Sequence, residues 1–147
     1  MRLFLAIAAA REWPLQQLDI NNAFLHGHLE EYIYMTLPEG YEVESHLVCK
    51  FKRLLYGLKQ ASRKWNVEFT LRLTTNGFRQ SAHEHRLFVK DTASGPMVLL
   101  VYIDDILIIG PLLAAIREVK DYLHTLFTNK DIGDARYFFG FGNRLMQ

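Results

Sequence analysis

The stretch Met97-Val98-Leu99-Leu100-Val101-Tyr102-Ile103-Asp104-Asp105-Ile106-Leu107-Ile108-Ile109 decides how this chain is read. Two apolar runs, each long enough for a buried strand, meet at a pair of adjacent acids. No Gly or Pro separates the runs, so the acids fall in or beside a tight hairpin turn. Asp tolerates turn geometry, and a bend and nothing more is one reading. The other starts from cost. Two neighbouring carboxylates beside an apolar core lose hydration and repel each other, which disfavours their ionisation. A divalent cation offsets both effects, and oxygen-only ligands select Mg²⁺ or Mn²⁺ over zinc. A third acid decides for the metal: Asp19 ends Leu15-Gln16-Gln17-Leu18-Asp19-Ile20 with apolar neighbours on both sides. If that strand lies beside the hairpin, three carboxylates converge at one end of a sheet. Such a set can hold two ions ~3.5–4 Å apart, an arrangement suited to phosphoryl or nucleotidyl transfer.

The 147 residues are enough for one domain. Half of them are hydrophobic and 22% are charged, a globular balance. The formal net charge of +1 excludes binding by bulk positive charge. It hides an asymmetry: seven acids and no Lys or Arg over 12–49, then six basic residues and no acid over 50–64. That basic run reads either as a solvated face or as a local phosphate-binding patch. The single cysteine, Cys49, excludes an internal disulfide. No apolar run approaches the ~20 residues of a membrane helix, so the expectation is an intracellular chain with no membrane partner. Leu3 to Ala10 reads as a core helix with the apolar face Leu3, Phe4, Ile7 and Ala10, closing at Trp13-Pro14; a short signal peptide is the alternative.

Strands are expected over 15–19, 32–37, 47–51, 86–90, 97–102, 106–109 and 136–141. Trp65, Phe69 and Leu73 predict a helix over 61–75, with Gly77 just past its end. A second helix opens near Pro111, its buried stripe Leu112, Ile116, Val119, Leu123 and Phe127; Asp131-Ile132-Gly133 breaks it. Trp65 reads as core. The pairs His26/His28 and His83/His85 have a spacing that zinc could use, but no Cys lies near them and loop histidines are the plainer reading. Strands in adjacent hairpins with two or three helices predict an α+β fold.

Tyr102-Ile103-Asp104-Asp105 resembles the Tyr-Val-Asp-Asp box of reverse transcriptases. Gln17-Leu18-Asp19-Ile20-Asn21-Asn22-Ala23-Phe24-Leu25-His26-Gly27 resembles their first catalytic-Asp motif, in the version carried by copia-type retrotransposon polyproteins. Between them, Leu54-Leu55-Tyr56-Gly57-Leu58-Lys59-Gln60-Ala61-Ser62-Arg63-Lys64-Trp65 is similar to that family's signature, with Ser62 in place of its usual Pro. Tyr32-Ile33-Tyr34-Met35, Pro38-Glu39-Gly40-Tyr41 and Lys130-Asp131-Ile132-Gly133 extend the likeness over nearly the whole chain.

The resemblance implies a polymerase palm: a ferredoxin-like (RRM-like) antiparallel sheet with helices packed on one face, plus partial fingers. Residues 1–147 would be a single partial domain, with further fingers, a thumb and an RNase H domain outside it. The implied reaction is RNA- or DNA-templated addition of dNTPs to a primer 3′ hydroxyl with two Mg²⁺ (or Mn²⁺) ions. Asp19 and Asp104 would be the principal catalytic metal ligands and Asp105 an auxiliary one, with Ile20 completing the metal set. The backbone of Ile20, Asn21, Asn22 and Ala23 would run along the triphosphate. Phe24 would be the steric gate against a 2′ hydroxyl, or simply a core aromatic. Tyr56 and Gly57 would border the nascent base pair. Lys59, Arg63, Tyr102 and Gly140 would contact template or primer. Lys130 would lie near the leaving pyrophosphate as a general acid, or be a plain surface lysine. Implied partners are a template–primer duplex and, in an intact element, integrase and RNase H, within the cytoplasm or a virus-like particle. A folded, non-catalytic remnant of a mobile element is the alternative, and an unrelated ferredoxin-like binding module is a third.

Overall fold

The acid pair does sit on a hairpin, and the hairpin is the centre of a sheet. The computed structural model describes residues 2–27, 29–41 and 47–135. Its elements are α1 (Arg2–Ala10), β1 (Leu15–Ile20), a 3₁₀ turn (Ala23–His26), β2 (Tyr34–Thr36), β3 (Val48–Lys50), α2 (Ala61–Thr75), β4 (Arg79–Gln80), β5 (Leu87–Thr92), β6 (Gly95–Tyr102), β7 (Asp105–Ile109), α3 (Leu113–Leu126) and β8 (Asn129–Asp134). Six strands form one sheet in the order β4-β5-β6-β7-β1-β8, and β2 pairs with β3 separately. All pairings are antiparallel. The fold is therefore mixed α+β around an antiparallel sheet.

Side chains alternate across a strand, and the hairpin's apolar runs accordingly feed two cores. Leu99, Val101, Ile106 and Ile108 join Trp65, Phe69 and Leu73 of α2 and Ile116, Val119 and Leu123 of α3. Leu100, Leu107 and Ile109 join Phe4, Leu5 and Ala8 of α1. The expectation of helices on one face is corrected here: α2 and α3 share a face, while α1 covers part of the other. Cover on both faces is why the runs read as continuous rather than alternating.

The helix over 61–75 forms where its periodicity predicts, and Gly77 follows it at φ 90°. Two stripes shift. In α1, Phe4, Leu5 and Ala8 are buried, whereas Leu3 is 74% exposed. The helix stops at Ala10, and Glu12 turns the chain at φ 51° before Trp13. In α3, Ile116, Val119, Leu123 and then Phe127 are buried, but Leu112 lies outside, and the helix begins two residues after Pro111. The segment expected only to end α3 is instead edge strand β8. The strand expected over 136–141 lies outside the described residues. Among the described residues, no helix is long and apolar enough to cross a membrane.

Candidate nucleotidyl-transfer site

The register of the sheet brings the acids together. Asp19 on β1 stands directly opposite Asp105 on β7, a pairing that puts both carboxylates on one face. Asp105 in turn faces Tyr102 on β6, leaving Ile103-Asp104 as the two-residue turn. Lys130 on β8 stands opposite Asp19 from the other side. Four adjacent strands thus present Lys130, Asp19, Asp105 and Tyr102 as one row, with Asp104 at the tip beside it. Alternation assigns this row to the face that α1 covers further along, where Leu107 and Ile109 are buried.

Ile103 occupies the turn at φ 53°, left-handed backbone that a β-branched residue rarely adopts. Both carbonyls of the turn are engaged: Trp65 Nε1 donates to Ile103 O at 2.9 Å, and Ile20 N–H donates to Asp104 O at 2.7 Å. Trp65 is buried as expected, yet its polar atom serves the turn, a role that reading it as core missed. Its place in the sequence signature between the two acid motifs was the available signal.

Charge at the tip is poorly compensated by the protein itself. Burial, then the charges of Asp19 and Asp105, push the Asp104 carboxyl above its ordinary pKa against the lowering effect of a hydrogen bond from Tyr56. Tyr56 OH donates to Asp104 Oδ2; burial and the neighbouring carboxylates raise that phenol to about 12. Asp104 Oδ1 is buried with no hydrogen-bond partner. Asp105 accepts from Gln17 Nε2 at 3.1 Å. Among the described residues, no group of three or more Asp, Glu, His or Cys side chains is gathered as a ready metal cage. The acids share a sheet end, while Tyr56 and Gln17 each hold an oxygen of one of them.

The remaining expected residues divide. Phe24 is buried in the main core, and its ring meets Tyr56 with centroids 4.3 Å apart. Tyr56 itself is half exposed, and Gly57 beside it takes φ 94°. Ile20 is buried, so only its backbone could meet a ligand. Along the backbone expected to follow a triphosphate, the N–H groups of Ile20 and Asn21 donate to Asp104 O and Thr128 O. That leaves the start of the 3₁₀ turn, with Asn22 exposed at φ 51° and Ala23 buried. Gly27 sits in a tight place: a Cβ there would come 2.5 Å from Leu54 Cδ1 and 3.3 Å from Phe24 O, so the buried Leu54 side chain would have to shift. Lys59 and Arg63 are exposed, and Arg86 lies 5.5 Å over the Tyr102 ring. Gly140 and His28 lie outside the described residues.

A family model described as "Reverse transcriptase (RNA-dependent DNA polymerase)" matches residues 1–145. The Retrovirus-related Pol polyprotein from transposon RE1 of Arabidopsis thaliana is 42% identical over 142 residues, 95% of this chain and 10% of that protein. The Pol polyprotein from transposon TNT 1-94 of Nicotiana tabacum is 38% identical over 143 residues, again 95% of this chain and 11% of that protein. A putative transposon Ty5-1 protein of Saccharomyces cerevisiae is 34% identical over 125 residues, 84% of this chain and 41% of that protein. The chain thus spans about a tenth of the two plant polyproteins.

Proposed function

Because this chain belongs to the reverse transcriptase (RNA-dependent DNA polymerase) family, we propose that it is the palm-centred part, with partial fingers, of an RNA-directed DNA polymerase from a copia-type retrotransposon polyprotein. The reading is carried by one observation: Asp19 and Asp105 are direct cross-strand partners, and Asp104 tips the hairpin beside them. Reverse transcriptases generally use divalent metals. The residues suit one, since the donors are all oxygen and Asp104 Oδ1 is buried without a partner. Asp19 and Asp104 would hold two Mg²⁺ ions, with Asp105 and the Ile20 backbone as auxiliary donors. When bound, the ions would favour the ionised primer 3′ hydroxyl and stabilise the departing phosphate oxygen.

The chain's own groups do the positioning. Phe24, fixed in the core, would meet the sugar at C2′, where a hydroxyl has no room; Tyr56 would move off Asp104 to border the new base pair. Lys130, which pairs with Asp19 across from the hairpin, would donate a proton to the leaving pyrophosphate. Exposed Lys59 and Arg63 would face template phosphates, and Tyr102 the primer. The substrates are then a template–primer duplex and dNTPs, and the remaining partners are the other segments of a Pol polyprotein, in the cell interior or a particle.

Primer–template extension with Mg²⁺ tests this directly. Product is expected from the chain, lost by at least ~100-fold in Asp104→Asn, as removal of a metal ligand demands. Mn²⁺ binding should weaken in Asp19→Asn. Extension that survives Asp104→Asn, or Mn²⁺ binding indifferent to Asp19, overturns the assignment. Mn²⁺ binding without extension would identify a folded remnant.

A further inference from the structure

We infer that Trp65 is a positioning residue for the acid-bearing turn, holding Ile103 in its unfavourable backbone conformation so that Asp104 stays aimed at the row of carboxylates. The inference deepens the metal-site reading and rests on it for its functional consequence.

A two-residue hairpin whose first central residue has positive φ normally takes Gly there, because a Cβ crowds the following carbonyl. Here the position is Ile103, branched at Cβ, at φ 53°. Something outside the turn must hold it, because the local preference runs the other way. The turn has two peptide carbonyls, and each has one outside anchor: β1 through Ile20 N–H to Asp104 O, and α2 through Trp65 Nε1 to Ile103 O. The Ile103 carbonyl belongs to the peptide before Asp104 and the Asp104 carbonyl to the peptide after it, so the two anchors together fix both planes and with them that residue's Cα–Cβ bond.

The donor is itself immobilised. Trp65 is 3% exposed, and its ring packs against Phe69 at 5.1 Å and Phe127 at 5.2 Å, with His26 at 6.1 Å. An indole has a single N–H and no acceptor, so a locked ring aims one hydrogen bond in one direction. Packing explains the ring. It does not explain why the ring's one polar atom meets the one peptide that strain would otherwise turn.

Trp65→Phe keeps an aromatic ring and removes the N–H. In the full 147-residue chain, amide exchange at Ile20, whose partner is the Asp104 carbonyl, should quicken at least ~10-fold relative to core amides such as Leu99. Mn²⁺ affinity, read by the EPR signal of free Mn²⁺, should fall by about the same factor. Ile103→Gly in the Trp65→Phe background should restore both, since Gly adopts positive φ without steric cost. Wild-type exchange at Ile20 in Trp65→Phe overturns the inference. So does a loss that spreads evenly over the core and that Ile103→Gly leaves uncorrected, which would mark Trp65 as packing alone. If the wild-type chain binds no Mn²⁺, the metal reading fails, and exchange at Ile20 with its rescue decides the positioning role by itself.

Discussion

Strand β1 carries two polar clusters three residues apart, and they are built on opposite principles. On the α3 side, Gln16 is buried and accepts from Lys120 Nζ at 2.8 Å, and the same ammonium meets Asp131 Oδ1 at 2.6 Å. Gln16 Nε2 reaches Asp134 in turn. Burial would raise the Asp131 carboxyl, but the Lys120 ammonium and the Gly133 N–H outweigh it and hold its pKa below the ordinary value. On the other face, Asp19, Asp104 and Asp105 gather with a phenol and an amide for company, and Asp104 is pushed up. One cluster is internally satisfied and ties α3 and β8 to β1. The other keeps carboxylate charge that the protein only partly compensates. One strand thus carries both a satisfied polar cluster and a strained one.

The comparison breaks most visibly at Lys120. Lys120→Ala leaves Gln16 and Asp131 without their shared donor and should lower the melting temperature by about 6 °C, equivalent to ~2 kcal/mol, less than a fully buried pair because Asp131 remains 45% exposed. The opposite sign is expected at the other cluster. An ionised Asp104 opposes folding once pH rises through its raised folded pKa, so Asp104→Asn should raise the melting temperature at pH 7 by about 3 °C, while the proposed function has it lose metal binding. No rise would mean that Tyr56 already compensates the charge. The smallest effect is on pH dependence. Asp131 contributes fully above the unfolded carboxylate pKa near ~4 and loses its contribution as pH falls through its lower folded value. Denaturant unfolding between pH 5 and pH 2 should therefore flatten in Asp131→Asn, by no more than about 1 kcal/mol.

The sequence exposed one of these clusters and concealed the other. Adjacent acids between two apolar runs are conspicuous because both features are local, and the place of Asp19 beside them follows once the strands are assigned. Lys120 lies on the apolar stripe of α3, four residues after Ile116 and three before Leu123, so its inward place was legible; its partners Asp131 and Gln16 were not, because only tertiary approach brings them to it. Strand β8 was equally hidden. Asn129, Lys130, Asp131 and Gly133 all disfavour strands, and it forms because β1 offers an unpaired edge. The second covered face was visible in principle, since unbroken apolar runs at 97–101 and 106–109 signal a strand buried on both sides. The engagement of Tyr56 with Asp104 left no local mark, because it joins residues 48 positions apart.

Helix α1 covers only part of its face of the sheet, and where that cover stops has an electrical consequence. Along β7 the passage from dry to wet takes two residues: Leu107 is fully buried, and Asp105, next on the same face, is half-buried. A cation settling there would be bathed by solvent on one flank and backed by hydrocarbon on the other. Its field would be damped outward and sustained inward along the carboxylate row, so the reach of the charge is set by an apolar helix that bears no acidic residue.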